Sequence, residues 1–193
     1  TVGAVSCPAP SPRDIIVHST ARTIQIPDGV EIDLGGIGKG EAADLTVHAL
    51  LLGGAAGAMV NLGGDLRAGG QSPPHGWTVE LDCPGRTDGG GSERIRIGAG
   101  AVCTSSTIKR RWRTLDGERH HIVEPTSGDS VATDCCSASV IGASAAQCEV
   151  LATTSIALGI EGARELIETH DASGVLVDAG GRVHDVGQIG SYR

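Results

Sequence analysis

A lysine set behind a run of glycines is the first feature of this sequence that could do chemistry. Residues 33–44 read Asp-Leu-Gly-Gly-Ile-Gly-Lys-Gly-Glu-Ala-Ala-Asp. Glycines let the backbone come close to a ligand and aim free N–H groups at it. A helix that starts near Lys39 adds its positive N-terminal end to the positive side chain, and both suit a phosphate. The spacing is neither that of a P-loop nor that of the G-x-G-x-x-G dinucleotide turn. A tight turn beside a surface lysine is the plainer alternative.

Three further stretches carry reactive groups. Asn61-Leu-Gly-Gly-Asp65 reads as a strand end followed by a turn. In residues 120–128, His120, His121 and Glu124 could move protons or bind a metal. Neighbours in a strand face opposite sides, so at most one of the two histidines serves any one site. Glu149 and Thr153 are four apart in a helical pattern and share a face. Their oxygens could ligate Mg²⁺ or Ca²⁺, or simply bond to each other on a helix surface.

The elements that must position these groups follow from periodicity and turn signals. Short strands are expected over residues 15–17, 23–26 and 30–34, the last running into the glycine turn. A helix is expected from Lys39, with Ala42, Leu45, Ala49 and Leu52 at helical spacing and Gly53-Gly54 as its stop. Strands follow over 58–62, 77–81, 94–97, 101–106, 119–123 and 137–141, with a glycine-rich loop at 88–92. Helices are expected over 144–158, closed by Gly159, and over 161–169. A hairpin of 175–177 with 183–186 ends the chain. The fold class is therefore α+β: mixed, largely antiparallel sheets with two or three packed helices. Residues 1–13, rich in Pro and Ser, read as an arm or loop on a single domain over 1–193.

Bulk properties narrow the function. The chain has 193 residues and a net charge of −8, which gives nucleic-acid binding no general support. Phe is absent and only 2% of residues are aromatic, so the core must be built from Val, Ile, Leu and Ala. The six cysteines show no C-x-x-C pair and read as small buried apolar residues. No apolar run is long enough to span a membrane. Neither a signal sequence nor a lipobox is present in this chain, which slightly favours a cytoplasmic location over export, and the Thr1 start leaves the compartment open.

Taken together and in order, the motifs resemble the ApbE family of flavin transferases. Residues 33–44 are similar to its Asp-led glycine run ending Lys-Gly-x-Ala-x-Asp, and 61–65 to its Asn-x-Gly-Gly-Asp strand. Residues 103–106 are similar to its Thr-Ser-Gly-Asp-Tyr segment. Residues 121–128 resemble its His-Ile-x-Asp-Pro-x-Thr-Gly, with Glu124 in place of Asp, and 149–153 its Asp-x-x-x-Thr helix, with Glu149 in place of Asp. Only residues 1–3 match the end of the family's N-terminal region.

The resemblance implies an ApbE-like fold and Mg²⁺-dependent transfer of FMN from FAD to a Thr or Ser of a target flavoprotein carrying a flavinylation motif, with AMP released. It also implies roles. Asp33 and Lys39 would contact FAD, with Thr104 and Ser105 at the cofactor and Ile122 or Val123 lining its pocket. The carbonyl of Gly36 with Glu149 and Thr153 would hold Mg²⁺. His121, or Asp33, would accept the proton of the attacking hydroxyl. A FAD pyrophosphatase without a protein acceptor, and a non-catalytic flavin- or nucleotide-binding relative, are the alternatives.

Overall fold

The structure, a computed structural model, describes residues 12–88, 91–115, 117–124 and 127–193, which fall into two compact units divided between Leu34 and Gly35. Cys7 and most of the expected arm lie outside the described residues, as do Pro125 and Thr126 of the fourth motif.

The first unit contains an antiparallel ribbon of β1 (Ile16–His18) and β2 (Thr23–Gln25), with Ile16 opposite Gln25. Residues 30–34 form no strand, although Val30, Ile32 and Leu34 alternate with acidic residues. Alternation distributes side chains between two faces, but a strand also needs a hydrogen-bonded neighbour. No described strand pairs with this segment. Asp33 lies in it, exposed.

The second unit is built on one six-stranded sheet. Its strands are β3 (Gly57–Leu62), β4 (Asp65–Gly70), β7 (Gly100–Ser106), β10 (Cys135–Gly142), β11 (Ser173–Asp178) and β12 (Val183–Val186). Their order is β12-β11-β10-β7-β4-β3, and every pair is antiparallel. Two helices, α1 (Gly38–Leu52) and α2 (Ala145–Thr169), pack on one face. A ribbon of β5 (Trp77–Asp82) and β6 (Ser92–Ile97) covers the other. A second ribbon, β8 (Arg111–Thr114) with β9 (Gly117–His120), pairs only with itself.

The period-two geometry of strands sorts the central residues into two cores. Ala101, Cys103, Ala138, Val140 and Leu176 face the helices, whereas Val102, Ile141, Val175 and Val177 face the β5–β6 ribbon. Both cores are aliphatic, apart from Trp77 and Tyr192 at the margin of the ribbon side. Cys83, Cys103, Cys135 and Cys148 are buried and unpaired. Burial and nearby acidic groups push the thiols of Cys135 and Cys148 up to about 12, so they stay protonated and behave as small apolar side chains.

The second unit departs from the sequence expectations in four places. Residues 65–70 are a strand, though Leu-Arg-Ala-Gly-Gly has little β-propensity, because both edges of β4 are paired, to β3 and β7. The basic run at 109–111 leads into β8, a strand the sequence did not suggest. β9 stops at His120 rather than continuing to residue 123; past it, Val123 makes only an isolated bridge to Ser130. On α1 the inward residues are Gly40, Ala43 and Val47, whereas Ala42, Leu45, Ala49 and Leu52 face outward. Gly40 sets that rotation: a Cβ there would lie 2.7 Å from the amide nitrogen of Ala146, so only this face of α1 approaches the start of α2.

The break expected at Gly159 is present inside α2. Its φ of 73° and ψ of 179° are open only to glycine, and the amide of Ile160 then donates to Asp134 Oδ1 at 2.9 Å, which caps the second half of the helix.

Candidate functional site

The site forms where the start of α1, the start of β4, the end of β7 and the first turns of α2 meet on the helix side of the sheet. Glu149 is 2% exposed and nevertheless carries a carboxylate, so it needs partners. One oxygen accepts from the ammonium of Lys39. The other accepts from the backbone amide of Gly40 at 2.7 Å. Lys39 also bonds Asp65, likewise 2% exposed, at the first position of β4. Two buried carboxylates thus share one ammonium, and the cluster carries a net charge of −1 when all three groups are ionised.

The same arrangement moves the titrations. Burial is the main influence on Asp65 and raises its pKa, with Glu149 adding to it and Lys39 opposing it. Burial opposes the charge on Lys39, but hydrogen bonds and attraction from Asp65 and Glu149 outweigh it and raise the pKa of the ammonium. Lys39 therefore stays protonated throughout the physiological range.

One turn along α2, Thr153 Oγ1 is 2.9 Å from Ser105 Oγ. The glycine turn reaches the same place, since a Cβ on Gly36 would sit 3.9 Å from Thr153 Cγ2 and 4.0 Å from its Oγ1. The structure therefore brings together Gly36, Lys39, Ser105, Glu149 and Thr153. Among the described residues no group of three or more His, Cys, Asp or Glu could hold a metal ion. What assembles instead is the Glu149 carboxylate with the hydroxyls of Ser105 and Thr153 beside the glycine turn, side-chain oxygens of the hard type that Mg²⁺ and Ca²⁺ take.

The other residues singled out from the sequence make contacts of their own. Thr104 alternates away from Ser105 to the opposite face of β7 and bonds Ser139 Oγ at 2.8 Å. Ile122 is buried in the helix-side core, and Val123 is half exposed. His121 keeps much of its surface in solvent and lies beside Arg110; shielding of the rest of the ring and that positive charge lower its pKa below the usual 6.5. His120 directs Nε2 to the carbonyl of Val131 at 3.1 Å and so serves the loop rather than this cluster. Asp33 belongs to the first unit.

Sequence reasoning gave no role to two residues that build the site. Asp65 closes the Asn-x-Gly-Gly-Asp turn, and its signal was an acid at the start of a strand directly after two glycines. Asp44 ends the first motif, and its carboxylate accepts the amides of Ala145 and Ala146, both at 3.0 Å, and the hydroxyl of Ser144 at 2.8 Å. Arg67 pairs with it at 2.9 Å. A residue of α1 thus caps α2 from outside and fixes the helix that carries Glu149 and Thr153.

The family model that matches residues 5–187 is that of the ApbE family. The chain belongs to the ApbE family. It is similar to the FAD:protein FMN transferase of Klebsiella pneumoniae (strain 342), 30% identical over 86% of this chain and 52% of that protein. It is also similar to the FAD:protein FMN transferase of Treponema pallidum (strain Nichols), 31% identical over 72% of this chain and 41% of that one. This ApbE-family chain therefore spans about half the length of these curated relatives. Among solved structures, the ApbE protein from Thermotoga maritima superposes with a TM-score of 0.81 at 22% identity, covering 93% of this chain and 59% of the other. The flavin transferase ApbE from Vibrio cholerae gives 0.77 at 23% identity, over 94% and 58%. At such identities these likenesses establish the ApbE fold, the α+β arrangement expected from the sequence. Among the described residues no helix is long and apolar enough to cross a membrane.

Proposed function

We propose that this chain carries the diphosphate-splitting site of a flavin transferase that moves FMN from FAD to a Thr or Ser hydroxyl of an acceptor flavoprotein. The acceptor oxygen bonds to the phosphorus that bears riboflavin, the bridging P–O bond breaks, AMP leaves, and the hydroxyl proton passes to a base. The names of the relatives support the substrate and product. The observation that carries the reading is the meeting of the glycine turn at Gly36 with Thr153, one turn from the buried Glu149 and its Lys39.

The chemistry needs positive charge and donors for the phosphate oxygens, and most of the catalysis lies in placing them beforehand. In this reading the backbone at 35–40 and the ammonium of Lys39 receive the diphosphate. Glu149, Thr153 and the carbonyl of Gly36 hold a divalent ion, Mg²⁺ by ligand type, which when bound supplies further positive charge there. Ser105 orients the hydroxyl of Thr153. His121 is the proton acceptor: its lowered pKa keeps it neutral at pH 7, as a base must be. For Asp33 and Thr104 at FAD, and for Val123 at the flavin, the support is the family pattern alone.

The test is incubation with FAD, Mg²⁺ and an acceptor fragment bearing a flavinylation motif. Covalent flavin fluorescence on a denaturing gel, with AMP released in equal amount, is the expected result. FMN and AMP without labelling would identify a pyrophosphatase instead. Unchanged FAD would reduce the chain to a binding module.

A further inference from the structure

The cluster raises a question that its donor types do not answer. Glu149 is the only carboxylate proposed for the divalent ion, yet both its oxygens already have donors, one from Gly40 N–H and one from Lys39. The backbone donor is fixed by the close approach of α1 to α2. The lysine is not: its side chain is 42% exposed, and it is bonded at the same time to a second carboxylate, Asp65.

We infer that Asp65 is a positioning residue of this site, which holds Lys39 so that a divalent cation can take its place on Glu149 without expelling the ammonium from the pocket. The inference rests on the proposed metal reading and concerns the residues that make it possible. With two carboxylates and one ammonium, the resting cluster carries one net negative charge and attracts a cation. A divalent ion cannot share the Glu149 oxygen with an ammonium at close range, since like charges repel strongly where water is excluded. Without Asp65 the lysine would have Glu149 as its sole partner and would compete for it at full strength. With Asp65 the lysine keeps one carboxylate partner after the exchange. The loaded cluster then carries a net charge of +1, which favours a diphosphate beside it. The exchange makes and breaks ionic contacts only, with no covalent change.

Only two lysines occur in this chain, Lys39 and Lys109, so amine chemistry reads the exchange directly. Lys109 pairs with Asp82 on the surface and serves as an internal reference. The unmodified protein is acetylated briefly with and without Mg²⁺, and both lysines are quantified by peptide mass spectrometry while Mg²⁺ binding is followed by calorimetry. Saturating Mg²⁺ is expected to speed acetylation of Lys39 relative to Lys109 severalfold, because an amine released from Glu149 is held by one carboxylate instead of two. Lys39→Met is expected to bind Mg²⁺ more tightly than the parent, and Asp65→Asn more weakly. In the Lys39→Met background the Asp65→Asn effect shrinks, because Asp65 acts through the lysine. Mg²⁺ binding with Lys39 acetylation unchanged or slowed overturns the inference and leaves the proposed function standing. Absence of Mg²⁺ binding in both the parent and Lys39→Met overturns the two together.

Discussion

Lys39, in the first turn of α1, is bonded to Glu149, 110 residues further along the chain, and the amide of the next residue, Gly40, holds the other oxygen of the same carboxylate. Two helix starts are locked together at the point where the proposed chemistry occurs.

Glu149→Gln keeps the volume and removes the charge. Lys39 retains Asp65 as a counter-ion, so no buried charge is left alone and folding should survive. The transferase rate should fall by about 10²-fold or more, the usual cost of losing a preorganised charged group at a phosphate. Gel fluorescence for labelling and circular dichroism for folding check the two parts separately.

Gly40→Ala sets two effects against each other. Alanine favours a helix over glycine by about 1 kcal/mol. The added Cβ, however, would lie 2.5 Å from the carbonyl carbon of Ala145 and 2.7 Å from the amide of Ala146, backbone atoms that cannot swing aside. The clash should win, with a net loss of about 1–3 kcal/mol in urea unfolding. A variant as stable as the parent would refute the close approach of α1 and α2.

Asp44→Ala removes the external cap of α2 and leaves two amides and the Ser144 hydroxyl without their acceptor. A loss of about 1–2 kcal/mol is expected. Asp44→Asn should recover part of it, since the amide oxygen can still accept. Thermal melts of the two variants side by side decide the matter.

His121 should titrate below 6.5, as partial burial and then the charge of Arg110 both disfavour its protonated form. Serving as the base, it must be neutral, so activity should hold steady above pH 6.5 and decline only as pH falls through the lowered value. Arg110→Ala removes the second of these causes and should move the acid limb of the rate profile, and the NMR titration of His121, to higher pH. A shift in the opposite direction would contradict the contact.

Local chemistry made much of this protein legible in advance. The glycine turn, the helix stop at Gly53 and the interruption at Gly159 depend on residues whose backbone preferences are strong and local. The alternation over residues 77–81 and 94–97 placed β5 and β6, and the i, i+4 relation of Glu149 and Thr153 placed both on one helical face. Residues 30–34 show where a local signal stops short, because their alternation is as regular as that of β5 but no described strand pairs with them.

From the sequence alone, then, come the element types, the aliphatic composition of both cores and the family to which the motifs point. Which face of α1 is inside, that the weak segment 65–70 is a central strand, and that Asp65 and Glu149 share a single lysine were decided only by tertiary structure. The reason is physical: propensity and periodicity act over a few residues, whereas a shared ammonium, a cap supplied by another helix and a strand paired on both edges exist only after distant parts of the chain have met.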